Sequence, residues 1–184
     1  MNWRFDRTGR VSVKLTVAFL IIGSFFLFFT NPGGRDFWAP DEGDFAQVVK
    51  ELDTNPVVPH LNNVPYGEKP PLFYYIVFAC VKVFRGFSDE ASMRLSSAFA
   101  ALITIVALFL VIRKTFDFPE ALTSVIILGL TPLFYWQARY LQVDMVFSAA
   151  IAIALLSFFR FTENGKTRWY YVSSIALAAA FMTK

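Results

Sequence analysis

Pro71-Leu-Phe-Tyr-Tyr-Ile-Val-Phe-Ala-Cys-Val-Lys-Val-Phe84 decides how this chain is threaded. The run is apolar but only ~14 residues long, about 21 Å as a helix, whereas crossing the hydrocarbon takes ~20 residues. Lys82 sits near its end. The run therefore suits a helix lying in the membrane interface. Five other stretches approach spanning length, at about 11–30, 93–112, 119–137, 144–161 and 169–184. Gly129 and Pro132 fall within the third, where neighbouring helices make such breakers tolerable.

If 71–84 does not cross, the basic residues Arg4, Arg7, Arg10, Lys14, Arg113, Lys114, Arg160, Lys166 and Arg168 all lie on one side. The acids Asp36, Asp41, Glu42, Asp44, Glu51, Asp53, Glu68, Asp89, Glu90 and Asp144 lie on the other. If it does cross, Arg113, Lys114 and the Arg160–Arg168 cluster move outside, and Asp144 leaves the side of Asp41. The positive-inside rule favours the first arrangement, with the N-terminus cytoplasmic and residues 31–92 forming a large external loop.

Composition agrees with a polytopic membrane protein. The 184 residues are 56% hydrophobic, with a mean hydropathy of +0.50 and 22 phenylalanines. A net charge of +3 argues against a general nucleic-acid surface. One cysteine, Cys80, and one histidine, His60, exclude a disulfide framework and a multi-histidine metal cluster within the chain. The basic flank before the first apolar run resembles a signal peptide, but Asn31-Pro-Gly-Gly34 follows without an Ala-x-Ala pattern, so the run reads as a retained anchor. The last apolar run stops abruptly at Lys184, so the chain reads as the front part of a longer protein.

Within the loop, Phe45, Val48, Val49 and Leu52 repeat at helical spacing, predicting an amphipathic helix over 41–53. Pro40 and Asp41 start it and Asn55-Pro56 ends it. The proline-rich stretch 56–70 reads as an irregular loop.

Few residues here can carry chemistry. Asp41 reads as an N-cap whose carboxylate accepts backbone N–H groups, and an ionised carboxylate so held can also orient and deprotonate an acceptor. Glu42 reads more simply as a first-turn acid complementing the helix dipole. In Glu68-Lys69-Pro70-Pro71, Lys69 is either a snorkelling lysine at an interfacial turn or a contact for an anionic lipid phosphate. Glu68 is a candidate divalent-cation ligand. Asp144 heads an apolar helix, either as a cap or as a functional acid near a span. Arg139 is positioned to pair with Asp144 or with a phosphate. Arg94 can do the same, or anchor its helix at the interface. The tryptophans and tyrosines near the span boundaries read mostly as belt residues.

Four motifs in order resemble one family. Trp38-Ala-Pro-Asp41-Glu42, Tyr66-Gly-Glu-Lys69-Pro-Pro-Leu72, Arg94-Leu-Ser-Ser97 and Gln137-Ala-Arg139 with Asp144 resemble bacterial glycosyltransferases of the aminoarabinose transferase and protein O-mannosyltransferase superfamily. Phe181-Met-Thr-Lys184 resembles a motif that continues further in those proteins. The resemblance implies an all-α polytopic membrane protein: a GT-C type bundle with juxtamembrane helices in the first external loop. It maps the catalytic acid onto Asp41, a second essential acid onto Asp144, and the Glu-Lys-Pro-Pro motif onto Glu68 and Lys69. It implies a polyprenyl-phosphate sugar donor and transfer outside the inner membrane to a lipid, glycan or protein acceptor. In some members the glutamate binds a divalent metal. Two positions depart from the pattern: Asp44, where many relatives are basic or neutral, and Ser96, where proline is commoner.

The mechanism expected is a single inverting displacement. Asp41 takes the acceptor proton while Lys69, with Arg139 or Arg94, stabilises the leaving phosphate. The alternatives are a transporter or non-catalytic membrane subunit, with charges deep within its spans, or an inactive truncated fragment.

Overall fold

The structure, a computed structural model, describes residues 13–184. Arg4, Arg7, Arg10 and the first residues of the 11–30 run lie outside the described residues. Eight helices account for most of the described chain: α1 (Val13–Phe28), α2 (Asp41–Glu51), α3 (Leu72–Val83), α4 (Asp89–Thr115), α5 (Phe118–Leu130), α6 (Pro132–Arg139), α7 (Val143–Asn164) and α8 (Thr167–Phe181). A two-residue hairpin, β1 (His60–Leu61) with β2 (Val64–Pro65), is antiparallel with His60 opposite Pro65.

Two helices, α4 and α7, are each long and apolar enough to cross a bilayer, at 27 and 22 residues. The chain is an all-α polytopic membrane protein in architecture. α1 is a shorter apolar helix of 16 residues, and α8 has 15 residues. α3 has 12 residues, about 18 Å by helical rise, far short of the ~30 Å hydrocarbon thickness. The stretch expected to cross at 119–137 is not one straight helix. It breaks by 65° between α5 and α6. Thr131 is extended and Pro132 opens α6, so Pro132 has no N–H to continue the ladder from α5.

α4 is the central strut. Its buried residues include a run of small ones, Ala91, Ser92, Ser96, Ser97, Ala98, Ala100 and Ala101, beside the larger Met93, Leu95, Ile105 and Phe109. Small side chains let neighbouring backbones approach closely, the usual way apolar helices associate in lipid. α3, α5, α6, α7 and α1 all pack on it. Ser88 caps its N-terminus, accepting from the Ala91 N–H at 3.3 Å. α7 and α8 form an antiparallel pair turned at Gly165, whose φ of +64° is a left-handed conformation that glycine adopts without strain. Ser173 on α8 donates to the Ala154 carbonyl of α7 at 2.8 Å.

The expected amphipathic helix forms as α2. Phe45, Val48, Val49 and Leu52 are buried, with the Phe45 ring edge-on to Phe73 of α3 at 5.4 Å. The 56–70 stretch is more ordered than its prolines suggested. Asn62 and Asn63 both have positive φ, the requirement of the tight turn that matches strand twist. Glu51 at the end of α2 accepts from both of their N–H groups, at 2.8 and 3.0 Å. The Asn63 N–H is the main cause of a lowered Glu51 pKa, with Gln47 adding a side-chain hydrogen bond.

Glu51→Ala should therefore release the 60–65 hairpin while leaving the helices intact. Limited proteolysis of the detergent-solubilised protein should show faster cleavage between residues 56 and 70, with unchanged helical circular dichroism.

Candidate active site at one end of the bundle

All the chemically equipped segments gather at one end of the bundle. The residue that gathers them is Glu42. The residue is 1% exposed, and its carboxylate accepts five hydrogen bonds from four residues. Arg94 of α4 clamps it bidentately, Nε to Oε1 and Nη2 to Oε2, both at 2.9 Å. The Leu141 N–H, between α6 and α7, donates to Oε1 at 2.6 Å. The Trp38 N–H and Arg35 Nη1 donate to Oε2 at 2.7 and 3.1 Å. Burial alone would raise the Glu42 pKa. The hydrogen bonds from Arg94, Leu141 and Trp38 outweigh it, and the carboxyl is held below its usual value.

Arg94 is as fully used. It is 1% exposed, and its remaining N–H groups go to the carbonyls of Pro32 at 2.7 Å, Arg35 at 2.9 Å and Asp36 at 2.9 Å. All five guanidinium donors are taken within the protein. This departs from the expectation of a phosphate contact or an interface anchor. Arg94 is the buried partner of Glu42 and the peg on which the 32–36 turn hangs. Ser97, last of the Arg94-Leu-Ser-Ser97 motif, accepts from the Gln142 N–H at 3.2 Å, a second tie from α4 to the α6–α7 junction. Ser96, where relatives more often carry proline, donates back to the Met93 carbonyl at 2.7 Å.

These ties put the N-terminal ends of α4 and α7 at the same end of the bundle, with the first turn of α2 between them. Asp41 and Asp144 therefore share that end. Asp41 does not cap α2. Pro40 occupies the cap position without a side-chain cap bond, and Asp41 is the first helical residue. Its carboxylate is exposed and makes no hydrogen bond or ion pair among the described residues.

Asp144, in the first turn of α7, does not pair with Arg139. It pairs with Lys184 Nζ. Just before Lys184, the Met182 carbonyl accepts from the Leu72 N–H at 3.2 Å, joining the end of α8 to the Lys69-Pro70-Pro71 turn. Lys69 is half-buried in that turn and has no partner among the described residues. Glu68 is exposed and accepts from Tyr66 Oη at 3.2 Å. Burial and the Glu68 carboxylate raise the Tyr66 phenol pKa, with Asp44 of α2 adding to the effect.

A divalent cation at Glu68 would need further acidic, histidine or cysteine ligands. Among the described residues no group of three or more such side chains assembles. The described residues do not by themselves make a metal centre.

Arg139 ends α6 and turns away from Asp144. It donates to the Leu27 and Thr30 carbonyls at the end of α1, both at 2.9 Å, capping that helix. It also lines a cavity of about 320 Å³ with Phe28, Arg35, Trp136 and Tyr140.

The sequence reading missed Glu42 as the organiser and Lys184 as the partner of Asp144. One signal was available: a glutamate inside an apolar-faced helix, in a chain with one arginine at the start of its longest apolar run. Neither separation in sequence, 52 residues to Arg94 and 99 to Leu141, shows in any local pattern.

A helical membrane bundle with an acid presented on a clamped juxtamembrane helix defines a class, and comparison with known proteins gives the family. The family model for dolichyl-phosphate-mannose-protein mannosyltransferase matches residues 68–184. The chain belongs to that family. It is 27% identical over 178 residues to the undecaprenyl phosphate-alpha-4-amino-4-deoxy-L-arabinose arabinosyl transferase of Shewanella sediminis, covering 93% of this chain and 32% of that protein. It is 28% identical over 180 residues to arabinosyl transferase 2 of Pseudomonas fluorescens Pf0-1, covering 90% and 31%. Its fold matches the crystal structure of ArnT from Cupriavidus metallidurans bound to undecaprenyl phosphate, with a TM-score of 0.84 at 20% identity over 94% of this chain and 33% of that one. The GT-C fold expected from the motifs is thereby shown. The chain spans about a third of the length of these proteins.

Removing one partner of the buried pair leaves the other charge stranded in the interior. Glu42→Gln or Arg94→Met should each destabilise the solubilised protein by about 3–5 kcal/mol in chemical unfolding. The pH dependence follows from the lowered pKa. The contribution is fully present above the ordinary glutamate value of 4.5 and is lost as pH falls through the lower folded value. Wild type should lose stability below pH 4.5, and Glu42→Gln should show a weaker acid dependence there.

Proposed function

We propose that this chain forms the acceptor-activating part of a glycosyltransferase that takes its sugar from a polyprenyl-phosphate donor. The acceptor is a lipid, glycan or protein hydroxyl or phosphate at the outer face of the cell's inner membrane. The observation that carries this reading is the placement of Asp41. It is exposed and unpaired among the described residues, one residue before a glutamate fixed by five hydrogen bonds, two from Arg94 of α4, one from Leu141 before α7, and two from Arg35 and Trp38. A carboxylate delivered by so rigid a neighbour suits a general base. Family membership and the arabinosyl transferase relatives supply the reaction class.

In the proposed step the Asp41 carboxylate accepts the acceptor proton. The acceptor oxygen bonds to the anomeric carbon as the bond from that carbon to the phosphate oxygen breaks. The polyprenyl phosphate leaves with the electron pair, and the anomeric configuration inverts. A phosphate leaving group needs charge stabilisation more than protonation, so one carboxylate suffices where hydrolysis of a glycoside uses two. Lys69 supplies that charge, its ammonium free beside the double proline that fixes the turn. Asp144 acts through Lys184, holding a second ammonium near the same turn. Its role is positioning. The transporter alternative calls for charges deep within spans. The buried Glu42–Arg94 pair lies at the start of α4, which weighs for surface chemistry.

In the complete gene product, Asp41→Asn should lower transfer from a polyprenyl-phosphate sugar by about 10²–10⁴-fold while membrane insertion stays normal. Lys69→Ala should weaken donor use, and NMR of the product should show inverted anomeric configuration. Wild-type transfer by Asp41→Asn would remove the proposed base.

A further inference from the structure

The face of α2 that carries Asp41 holds more than the base. Asp44 follows one turn later, and side chains at i and i+3 of a helix stand about 5–6 Å apart on one face. Asp44 is exposed and, like Asp41, makes no side-chain hydrogen bond or ion pair among the described residues. Cations elsewhere at this end already have partners. Arg35 and Arg94 go to Glu42, Lys50 to Asp89 at 2.9 Å, Lys82 to Asp53 and Lys184 to Asp144. Lys69 faces the leaving phosphate in the step above, and the arginine-lined cavity shares no residue with this face. An acceptor bearing its own phosphate or carboxylate would meet two like charges here, the arrangement that turns wrong partners away.

Trp38 stands at the head of α2. Its N–H donates to Glu42 Oε2 at 2.7 Å, and its carbonyl accepts from the Glu42 N–H at 3.1 Å. The backbone beneath the indole is thus fixed on both sides. The indole itself is 61% exposed and has no aromatic or cation contact among the described residues. Asp36 and Asp41 flank it, both exposed, which sets the ring on the watery side of the boundary rather than among lipid tails. A rigid apolar plate beside open carboxylates matches one kind of ligand. A sugar ring has an apolar face of C–H groups that stacks on an indole, and hydroxyls at its edge that donate to carboxylates. A serine or threonine side chain offers one hydroxyl and no such face.

A third observation favours hydroxyl groups over phosphate. The Tyr74 ring lies edge-on to Phe45, the neighbour of Asp44, at 6.2 Å, and to Tyr66 at 6.1 Å. Tyr66 donates to Glu68, whereas the Tyr74 hydroxyl is shielded and has no partner among the described residues. Burial, with Tyr66, Glu68 and Asp44 adding to it, raises the Tyr74 pKa, so the phenol keeps its proton. A spare O–H donor beside carboxylates is completed by a group that accepts from the phenol and donates to an acid. A hydroxyl does both, while an ionised phosphate only accepts.

We infer that the acceptor is an uncharged glycan. Its terminal sugar ring stacks on Trp38, one hydroxyl is held by Asp44, and a neighbouring hydroxyl is presented to Asp41. This rests on the sugar-transfer reading and names the acceptor class within it.

The test uses the complete gene product and a strain deleted for its gene. Envelope from that strain carries the unmodified acceptor, and polyprenyl-phosphate sugars extracted from the same strain serve as donor. Wild-type enzyme should add one sugar mass to a glycan that resists protease and withstands the mild acid that splits glycosyl phosphodiesters. Product on peptide, on a lipid without a glycan, or released by mild acid overturns the inference and leaves sugar transfer standing. No added mass in any fraction overturns the sugar-transfer reading, and the acceptor with it. With the unmodified glycan as varied substrate, Trp38→Leu should raise the acceptor KM by about tenfold with kcat near wild type, since leucine keeps an apolar anchor but offers no plate. Trp38→Tyr should recover most of that loss, and Asp44→Asn should raise the same KM by about tenfold. A wild-type acceptor KM in Trp38→Leu, or a fall in kcat alone, marks Trp38 as a membrane-belt residue and overturns the inference.

Discussion

One buried ion pair holds this end of the molecule together. Glu42 and Arg94 are both almost wholly shielded, and neither leaves its charge uncompensated. Between them they bond the turn after α1, the start of α2, the start of α4 and the junction of α6 with α7. In an apolar bundle such a pair adds little net stability, because desolvating two charges costs nearly what their attraction returns. Its value is geometric. Once paired, the carboxylate admits a single arrangement of four chain segments, since any slip would strand a charge. Asp41 inherits that rigidity, being the residue immediately before Glu42 in the same helix turn.

The rest of the fold serves this arrangement. The small-residue face of α4 lets its neighbours come close enough for side chains at its head to reach across. The break between α5 and α6 turns the chain by 65° and brings Arg139 to the end of α1. Gly165 folds α8 back along α7, returning Lys184 to Asp144 and the Met182 carbonyl to the double-proline turn. At the opposite end, Thr115 donates to Glu163 at 2.9 Å and closes α4 against α7. The bundle thus has a sparsely tied end and an end dense in charge and backbone contacts. The dense end carries both the candidate base and the arginine-lined cavity.

Much of the architecture was legible in the sequence, for identifiable reasons. The length of apolar runs is a one-dimensional property set by bilayer thickness, so 71–84 could be read as too short to cross, and α3 is indeed a 12-residue helix packed on α2 and α4. The period of Phe45, Val48, Val49 and Leu52 is likewise local, and α2 buries those residues. Local reading failed where two signals competed. The apolar character of 119–137 suggested one straight span, and the missing N–H of Pro132 bends it by 65° into a broken span or a re-entrant loop. The prolines of 56–70 suggested irregularity, but two asparagines able to adopt positive φ made a hairpin turn.

The sequence by itself determined the class of molecule and the positions of its apolar segments, and it narrowed the charged residues to a few candidates for chemistry. Those follow from hydropathy, period and composition, which are properties of neighbours along the chain. Only the tertiary structure decided how the charges are paired. Glu42 takes Arg94 and Asp144 takes Lys184, while Arg139 goes to backbone carbonyls of α1 and Asp41 is left open. Each choice depends on which helix ends meet, and inside an apolar bundle a charge must take whatever partner packing brings within about 3 Å.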